Sequence, residues 1–141
     1  MGEDAIYRIV LVDNDAVPRK IARGICERAA YSIGCRTAVD EFDDGLPAWV
    51  YLSQVQEPPR LLLTDMNMAD MHGNELIEKV QNKFPKAQFP SLTIILASDT
   101  SDESANAMAD LAELNGYSFL RKPYDFAKLT EIVRNSAPKS S

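Results

Sequence analysis

The sequence predicts one α/β domain, a doubly wound sheet of five parallel strands covered by five helices. The chain has 141 residues, which is the length of a single domain. Along it, short apolar runs alternate five times with segments of helical period. The clearest runs are apolar at every position, and strands buried on both faces are typical of a parallel sheet between two layers of helices.

The first two strand–helix units are marked by apolar runs and by residues that open helices. Residues 9–12 read Ile-Val-Leu-Val and predict the first strand. The next helix is predicted from apolar residues at every fourth position, which would form one buried stripe: Val17, Ile21, Ile25 and Ala29. Residues 37–39 are a weaker strand candidate, and Asp44-Gly45 opens a short helix at residues 46–54.

The third unit pairs a strand with a helix and ends in a proline-containing loop. Residues 61–64 form an apolar run that ends at an acidic residue, Asp65. The helix that follows is predicted from apolar residues on one face: Leu76, Ile77, Val80 and Phe84. Two prolines at residues 84–91 predict the loop that leads to the fourth strand at residues 94–97.

The last two units complete the predicted sheet. A helix at residues 102–115 is capped by Ser101 or Asp102. Residues 118–121 predict a short fifth strand. The last helix is predicted at residues 126–134, with three apolar side chains on one side: Phe126, Leu129 and Val133.

Charge and composition exclude several classes of function. The chain carries 15 Lys and Arg against 21 Asp and Glu, a net charge of −6, and an acidic surface disfavours binding to nucleic acid. Its longest apolar runs are four or five residues, whereas a membrane helix needs about 20. Residues 1–4 are acidic, unlike the start of a signal peptide. Cys26 and Cys35 form no disulfide framework, so we expect a cytoplasmic protein. We expect the domain to span residues 1–135 and residues 136–141 to be a disordered tail.

Polar residues follow four of the predicted strands, at the edge where the carboxyl ends of parallel strands meet. They are two carboxylates, a hydroxyl and an ammonium group: Asp13, Asp65, Ser98 and Lys122. Neighbouring carboxylates repel each other unless a cation lies between them. Oxygen ligands suit Mg²⁺, and the hydroxyl and ammonium groups can bind phosphoryl oxygens. The set is therefore typical of a phosphoryl-transfer site.

With these motifs, residues 6–135 of the chain resemble the receiver domain of two-component response regulators of the chemotaxis-regulator type. The motifs that carry the resemblance are Val10-Leu11-Val12-Asp13-Asn14-Asp15, Leu63-Thr64-Asp65-Met66-Asn67-Met68, Met71-His72-Gly73, Ile95-Leu96-Ala97-Ser98 and Leu120-Arg121-Lys122-Pro123-Tyr124. The resemblance implies a flavodoxin-like sheet with the strand order 2-1-3-4-5.

The resemblance also implies a metal site and a phosphoacceptor. Asp65 would be the nucleophile that accepts the phosphoryl group. Mg²⁺ would be held by Asp13, by Asp65 and by the backbone carbonyl of Asn67, with Asn14 as a further candidate ligand.

A phosphate-binding pair and a switch pair are implied by the same resemblance. Ser98 and Lys122 would bind the phosphoryl group. Ser98 would turn towards that group, and Phe119, three residues before Lys122, would fill the space that it leaves. The Lys122–Pro123 peptide bond would be cis.

The function implied by the resemblance is a signalling switch rather than an enzyme. A sensor histidine kinase or a histidine phosphotransfer protein would supply the phosphoryl group, and the domain would catalyse only its own phosphorylation and slow autodephosphorylation. Phosphorylation would change the surface formed by residues 102–115, 118–121 and 126–134. That surface would bind a downstream protein target and is a candidate for forming a homodimer, with no direct contact to nucleic acid or membrane.

Several positions depart from the pattern of the family. Asn14 stands where a second acid is usual, which predicts weakened metal binding. Ala69 replaces the usual proline, which predicts a looser loop, and His72 replaces an aspartate and is predicted to be an exposed loop residue. Ser98 follows Asp65 by 33 residues, more than is usual, so Ala97 is an alternative occupant of the switch position.

Two other functions remain open at the level of the sequence. Asp13-Asn14-Asp15-Ala16-Val17 also fits the opening motif of phosphatases of the haloacid dehalogenase type, with Asp13 as nucleophile and Asp15 as general acid, although Asp65 then has no role. The other alternative is a receiver-like interaction module that works without phosphorylation, which Asn14 and Ala69 favour.

Overall fold

Five strands alternate with five helices in the computed structural model, which describes residues 5–138. The strands are β1 (Ala5–Val12), β2 (Cys35–Phe42), β3 (Leu61–Asp65), β4 (Thr93–Ser98) and β5 (Ser118–Arg121). The helices are α1 (Ala16–Ser32), α2 (Gly45–Gln54), α3 (Gly73–Lys83), α4 (Asp102–Leu114) and α5 (Phe126–Ser136). Within this range no helix is long and apolar enough to cross a membrane.

The sheet is parallel throughout and has the order β2-β1-β3-β4-β5. This confirms the predicted doubly wound architecture and the strand order that the resemblance implies. β1 and β3 are neighbours, with Val12 paired to Thr64, and Asp65 is paired to Ala97 of β4. The residues that end β1 and β3 therefore lie side by side at the carboxyl edge of the sheet.

Side chains of the strands alternate between two buried clusters, one on each face of the sheet. The cluster beneath α2, α3 and α4 takes the strand residues Val10, Val12, Leu62 and Leu96. The cluster beneath α1 and α5 takes Ile9, Leu11, Leu63 and Ile95. Because both faces are covered, the central strands are apolar at successive positions, and burial of each such side chain contributes about 1.5–3 kcal/mol.

The edge strand β2 is longer than the sequence pattern predicts. It runs over Cys35–Phe42, whereas the apolar pattern predicts residues 37–39 alone. Most of its residues are only half-buried, because β2 is at the edge of the sheet and, among residues 5–138, pairs with β1 alone. An edge strand does not need a continuous apolar run, so its polar ends are missed.

The predicted buried stripe of α1 is wrong in its first half. Ile25 and Ala29 are buried, but Val17 and Ile21 are 65% and 51% exposed. The buried face is completed instead by Ala22, Cys26 and Ala30. A helix turns once in 3.6 residues, so a row of every fourth residue winds around the helix and leaves the packed face.

The end of the chain also differs from the prediction. Leu129 and Val133 of α5 are buried as expected, whereas Phe126, its first residue, is exposed. α5 continues to Ser136, into the predicted tail, and the guanidinium group of Arg60 donates hydrogen bonds to the carbonyls of Ser136 and Ala137. The rest of that predicted tail, residues 139–141, and the acidic residues 1–4 lie outside the described residues.

Candidate functional site

One ammonium group bridges the two predicted site carboxylates at the carboxyl edge of the sheet. Lys122 Nζ lies 3.0 Å from Asp13 Oδ2 and 3.1 Å from Asp65 Oδ1. Both carboxylates are buried. The structure therefore brings together three residues that are far apart in the sequence and that the sequence analysis assigned to one site.

The strand ends explain how these three side chains meet. Asp65 is the last residue of β3, and Asp13 directly follows the neighbouring strand β1. Lys122 directly follows β5, which is separated from β3 by β4, so its long side chain extends across β4 to the carboxylates. The Lys122 N–H donates to the Ser98 carbonyl at 2.9 Å, and the Lys122–Pro123 peptide bond is cis.

Backbone and side-chain hydrogen bonds hold Asp13 in place. Its Oδ1 accepts from the Asp15 N–H at 2.9 Å while Oδ2 contacts Lys122. Arg19 donates to the Asp13 carbonyl at 2.5 Å and also pairs with Glu41 on β2. Asp15 itself is exposed and caps α1, since its side chain accepts from the Val17 N–H at 3.1 Å.

The electrostatics of the site favour a bound cation. Burial raises the pKa of Asp65, Lys122 opposes that rise, and the charge of Asp13 adds to it. Burial alone would lower the pKa of Lys122, but hydrogen bonds and charges from Asp13 and Asp65 outweigh burial and raise it. Two carboxylates and one ammonium leave a net negative charge, so a divalent cation would relieve the repulsion that Lys122 only partly offsets.

The donor set fits Mg²⁺, although it is small. Mg²⁺ usually binds through one or two carboxylates and keeps waters or phosphate oxygens as its other ligands. Within residues 5–138, no group of three or more His, Cys, Asp or Glu side chains is arranged to hold a metal. Asn14 and Asn67 are both exposed beside this edge, so the further ligands would be amide, carbonyl, water or phosphate oxygens.

Ser98 rather than Ala97 shares a face of the sheet with the predicted switch aromatic. Ala97 lies in the cluster beneath α1 and α5. The next residue, Ser98, points to the opposite face, where Phe119 packs in the cluster beneath α2, α3 and α4. Ser98 is the last residue of β4 and is buried, so the strand register favours it for the switch position.

The loop that follows Asp65, residues 66–72, is fastened by hydrogen bonds at several points. Met66 accepts from the Gly73 N–H at 2.8 Å, and His72 Nδ1 accepts from the Met68 N–H at 3.0 Å. Further along the loop, Asp44 accepts from the N–H groups of Asp70 and Met71. His72 is exposed, as predicted, but it also orders the loop that the substitution at Ala69 was expected to loosen.

Sequence reasoning missed two residues near the site. Asp44 was predicted only to open α2, because nothing in the local pattern shows that it also binds a loop 26 residues away. Tyr124 lines a cavity of about 460 Å³ that also touches Lys122 and Ile21. Burial and the charges of Asp13 and Asp65 raise the pKa of Tyr124. Its position directly after Lys122-Pro123 is a signal that could have identified it.

A comparison with protein families identifies the family to which this fold belongs. The model of the response regulator receiver domain matches residues 9–134. The chain belongs to the response regulator receiver domain family. The receiver domain is thus part of two-component signalling, and the family acts as signalling switches rather than as enzymes of the usual kind.

Relatives of this receiver domain include both short regulators and much longer proteins. It is 26% identical over 128 residues to a chemotaxis protein CheY homolog of Campylobacter jejuni, covering 91% of this chain and 90% of that protein. It is 30% identical over 116 residues to the 3',5'-cyclic-nucleotide phosphodiesterase regA of Dictyostelium discoideum, covering 82% of this chain. The matched part is only 13% of that phosphodiesterase.

Solved structures show the same architecture. A response regulator receiver protein from Pseudomonas putida is 28% identical, with a TM-score of 0.63 over 96% of this chain and 99% of that one. The CheX-CheY-BeF3-Mg+2 complex from Borrelia burgdorferi contains a chain with a TM-score of 0.69, covering 92% of this receiver domain and 87% of that chain. At 20% identity, the second likeness shows the fold alone.

Proposed function

We propose that this receiver domain accepts a phosphoryl group on Asp65 in the cytoplasm, from a phosphohistidine of a sensor histidine kinase or a histidine phosphotransfer protein. The observation that carries this proposal is the contact of Lys122 Nζ with both Asp13 and Asp65, at 3.0 and 3.1 Å. A positive charge held against two buried carboxylates suits in-line phosphoryl transfer, because that reaction depends mostly on positioning and on stabilisation of charge. Free, buried Cys26 and Cys35 agree with a reducing compartment.

Asp65 is the better nucleophile of the two carboxylates. Asp13 already uses one oxygen to accept from the Asp15 N–H and the other to contact Lys122. In the proposed reaction an Asp65 oxygen attacks phosphorus, and the bond from phosphorus to the histidine nitrogen breaks with its electron pair on nitrogen. Lys122 then pairs with an oxygen of the transferred group.

The residues present would hold Mg²⁺ through Asp13, Asp65 and the backbone carbonyl of Asn67. When bound, the ion would neutralise charge on the phosphoryl oxygens. Asn14 replaces an acid in this site, so we expect weaker metal binding than two adjacent acids would give. Asn14 is exposed next to Asp13, where its side-chain amide oxygen is available as a further ligand.

Phosphorylation would be read out through Ser98 and Phe119. The Ser98 hydroxyl donates to a phosphoryl oxygen, and Phe119 moves into the space that Ser98 leaves. The surface of α4, β5 and α5 changes with it and binds a downstream protein or a second copy of the chain. The chain would thus exist in two states, an inactive one and an active one with the changed surface. To shift their populations from 99:1 in favour of the inactive state to 99:1 in favour of the active state, phosphorylation must stabilise the active state by about 5.5 kcal/mol. Hydrolysis of the acyl phosphate resets the switch.

Intact-mass spectrometry tests the proposal directly. The wild-type chain, incubated with Mg²⁺ and a small phosphodonor such as acetyl phosphate, should gain one phosphoryl group. Asp65→Asn should gain none, because the nucleophilic oxygen is lost. Asp43→Asn is the matched control, since Asp43 is an exposed acid outside the site, and it should behave as the wild type does. An adduct that persists in Asp65→Asn would exclude Asp65 as the acceptor.

A second candidate function is an interaction module that works without phosphorylation. It is favoured by Asn14, which leaves Asp13 and Asp65 as the site's carboxylates. Incubation of the wild-type chain with the phosphodonor and titration with Mg²⁺ separate the two candidates. An interaction module of this kind would neither bind Mg²⁺ at millimolar concentration nor gain a phosphoryl group. The phosphatase hypothesis loses its support, since the chain belongs to the receiver family and Asp15, its proposed acid, caps α1.

A further inference from the structure

Asp44 is a buried carboxylate that the proposed chemistry does not use. It precedes α2 and caps that helix, because its Oδ2 accepts from the Leu46 N–H at 2.9 Å. The same side chain also accepts from two N–H groups of the loop after Asp65: Oδ1 from Asp70 at 3.0 Å and Oδ2 from Met71 at 3.1 Å. One carboxylate therefore joins the start of α2 to the loop at residues 66–72.

The neighbouring glycine allows this close approach. A Cβ atom at Gly45 would lie 2.4 Å from the backbone oxygen of Met71, closer than real Cβ contacts. Gly73, which directly follows the loop, has the same property, since a Cβ atom there would lie 2.1 Å from the backbone oxygen of Asp65. The loop is thus held against the backbone at both of these glycines, and Asp44 lies at the first of them.

The loop is fastened on both sides of Asn67. Before it, the Met66 N–H donates to Ala97 at 2.9 Å and the Met66 carbonyl accepts from Gly73. After it, the Met68 N–H donates to His72, and Asp44 binds the two residues that precede His72. Asn67 itself is exposed between these bonded positions, and the flanking bonds restrict the backbone that carries its carbonyl.

Ala69 lies directly before Asp70 in the loop that Asp44 binds. Burial alone would raise the pKa of Asp44, but N–H groups of Leu46, Asp70, Met71 and Ala69 lower it below its usual value. A proline, which is usual in the family at the position of Ala69, would fix the backbone there. In this chain the Asp44 carboxylate instead binds the two residues that follow Ala69.

We propose that Asp44 is a positioning residue for the Mg²⁺ site: it holds the loop at residues 66–72, and with it the Asn67 carbonyl that would be a ligand of the ion. This inference rests on the proposed function, because it assumes that Mg²⁺ binds there. Residues that orient metal ligands without touching the metal commonly change its affinity by about 10–100-fold when replaced. We expect the low end of that range, since the two carboxylate ligands stay in place.

The test compares Asp44→Ala and Asp44→Asn with Asp43→Ala, which removes an exposed acid of the same charge next to Asp44. By calorimetry on the unphosphorylated chain, Asp44→Ala should bind Mg²⁺ about tenfold more weakly. Asp44→Asn keeps one accepting oxygen of two and should fall between Asp44→Ala and the wild type. Asp43→Ala should bind as the wild type does. Hydrogen exchange at the Asp70 and Met71 amides should be faster in Asp44→Ala.

A kinetic measurement separates positioning from a purely structural role. Saturating Mg²⁺ should restore the rate of phosphorylation of Asp44→Ala to within about twofold of wild type, because only metal affinity is affected. Unchanged Mg²⁺ affinity in a folded Asp44→Ala, or unchanged exchange at Asp70 and Met71, would overturn the inference while leaving the proposed function intact. If the wild-type chain binds no Mg²⁺ and forms no adduct, the proposed function fails and this inference fails with it.

Discussion

Asp65 and Asp44 have the same side chain and nearly the same burial, at 7% and 8% exposed, yet their pKa values move in opposite directions. The pKa of Asp65 is raised, because burial and the charge of Asp13 outweigh the attraction of Lys122. The pKa of Asp44 is lowered, because several backbone N–H groups donate to its carboxylate and outweigh the effect of its burial. Burial by itself therefore does not decide the state of a carboxylate in this protein.

The partners of each carboxylate explain what each one can do. Backbone N–H groups at the start of α2 and in the loop are fixed by the fold. They therefore satisfy the hydrogen-bonding capacity of the Asp44 carboxylate, which holds the loop against α2. Lys122 is a single charge shared by two acids, so the repulsion between Asp13 and Asp65 is only partly offset, and a divalent cation would relieve the rest of it. The less satisfied of the two carboxylates is the one suited to chemistry.

The largest effect should follow removal of the shared charge. Lys122→Ala leaves Asp13 and Asp65 buried without their cation, and we expect a loss of about 3 kcal/mol in the free energy of unfolding near neutral pH. The raised pKa of Lys122 keeps it charged throughout the neutral range, so its contribution disappears only when pH rises above the ordinary lysine range. Urea unfolding measures this loss.

Lys128→Ala is the matched control for that experiment, because Lys128 is exposed on α5. It should change the free energy of unfolding by less than about 0.5 kcal/mol. Equal losses in the two variants would show that Lys122 does not compensate the two acids, and the contrast between Asp65 and Asp44 would lose its explanation.

A smaller effect should follow from separating Asp44 from the loop without changing any charge. In Gly45→Ala, the added Cβ meets the Met71 backbone oxygen, and we expect a loss of about 2 kcal/mol in the free energy of unfolding. Gly24→Ala is the control in α1, since nothing lies within 4 Å of a Cβ there. It should gain about 0.5–1 kcal/mol by improving helix propensity. Opposite signs in thermal unfolding of the two variants support the close approach at Gly45.

The smallest effects concern pH, and they compare the two acids directly. The raised pKa of Asp65 means that its contribution to stability is present below its unfolded pKa and is lost as pH rises through its folded pKa. The lowered pKa of Asp44 means the reverse: its contribution is present above its unfolded pKa and is lost as pH falls through its folded pKa.

Neutral substitutions at the two positions should therefore act in opposite directions. Near pH 7, Asp65→Asn should raise the Tm and Asp44→Asn should lower it. Both differences from wild type should shrink on acidification to about pH 3 and below, as the wild-type carboxyl groups become protonated. Thermal unfolding of the three chains across this range checks the comparison, and changes of the same sign in both variants would contradict it.

The general architecture and the centre of the site could be predicted from the sequence. Apolar runs such as residues 9–12 and 61–64 identify strands that are buried on both faces, and such strands occur in parallel sheets. Parallel strands end at one common edge, so Asp13, Asp65 and Lys122 could be expected to meet without any knowledge of the structure. The strand order came from the resemblance to receiver domains, because the apolar pattern does not say which strands are neighbours.

By itself, then, the sequence determined the alternation of strands and helices and which acids and lysine stand at the strand ends, because those properties depend on neighbouring residues. The tertiary structure alone decided that Val17 and Ile21 are exposed while Ala22 and Cys26 are buried, since this depends on how α1 is rotated against the sheet. It also decided that Asp44 binds a loop 26 residues away. Such contacts depend on how separate elements pack in space, which no local pattern of residues records.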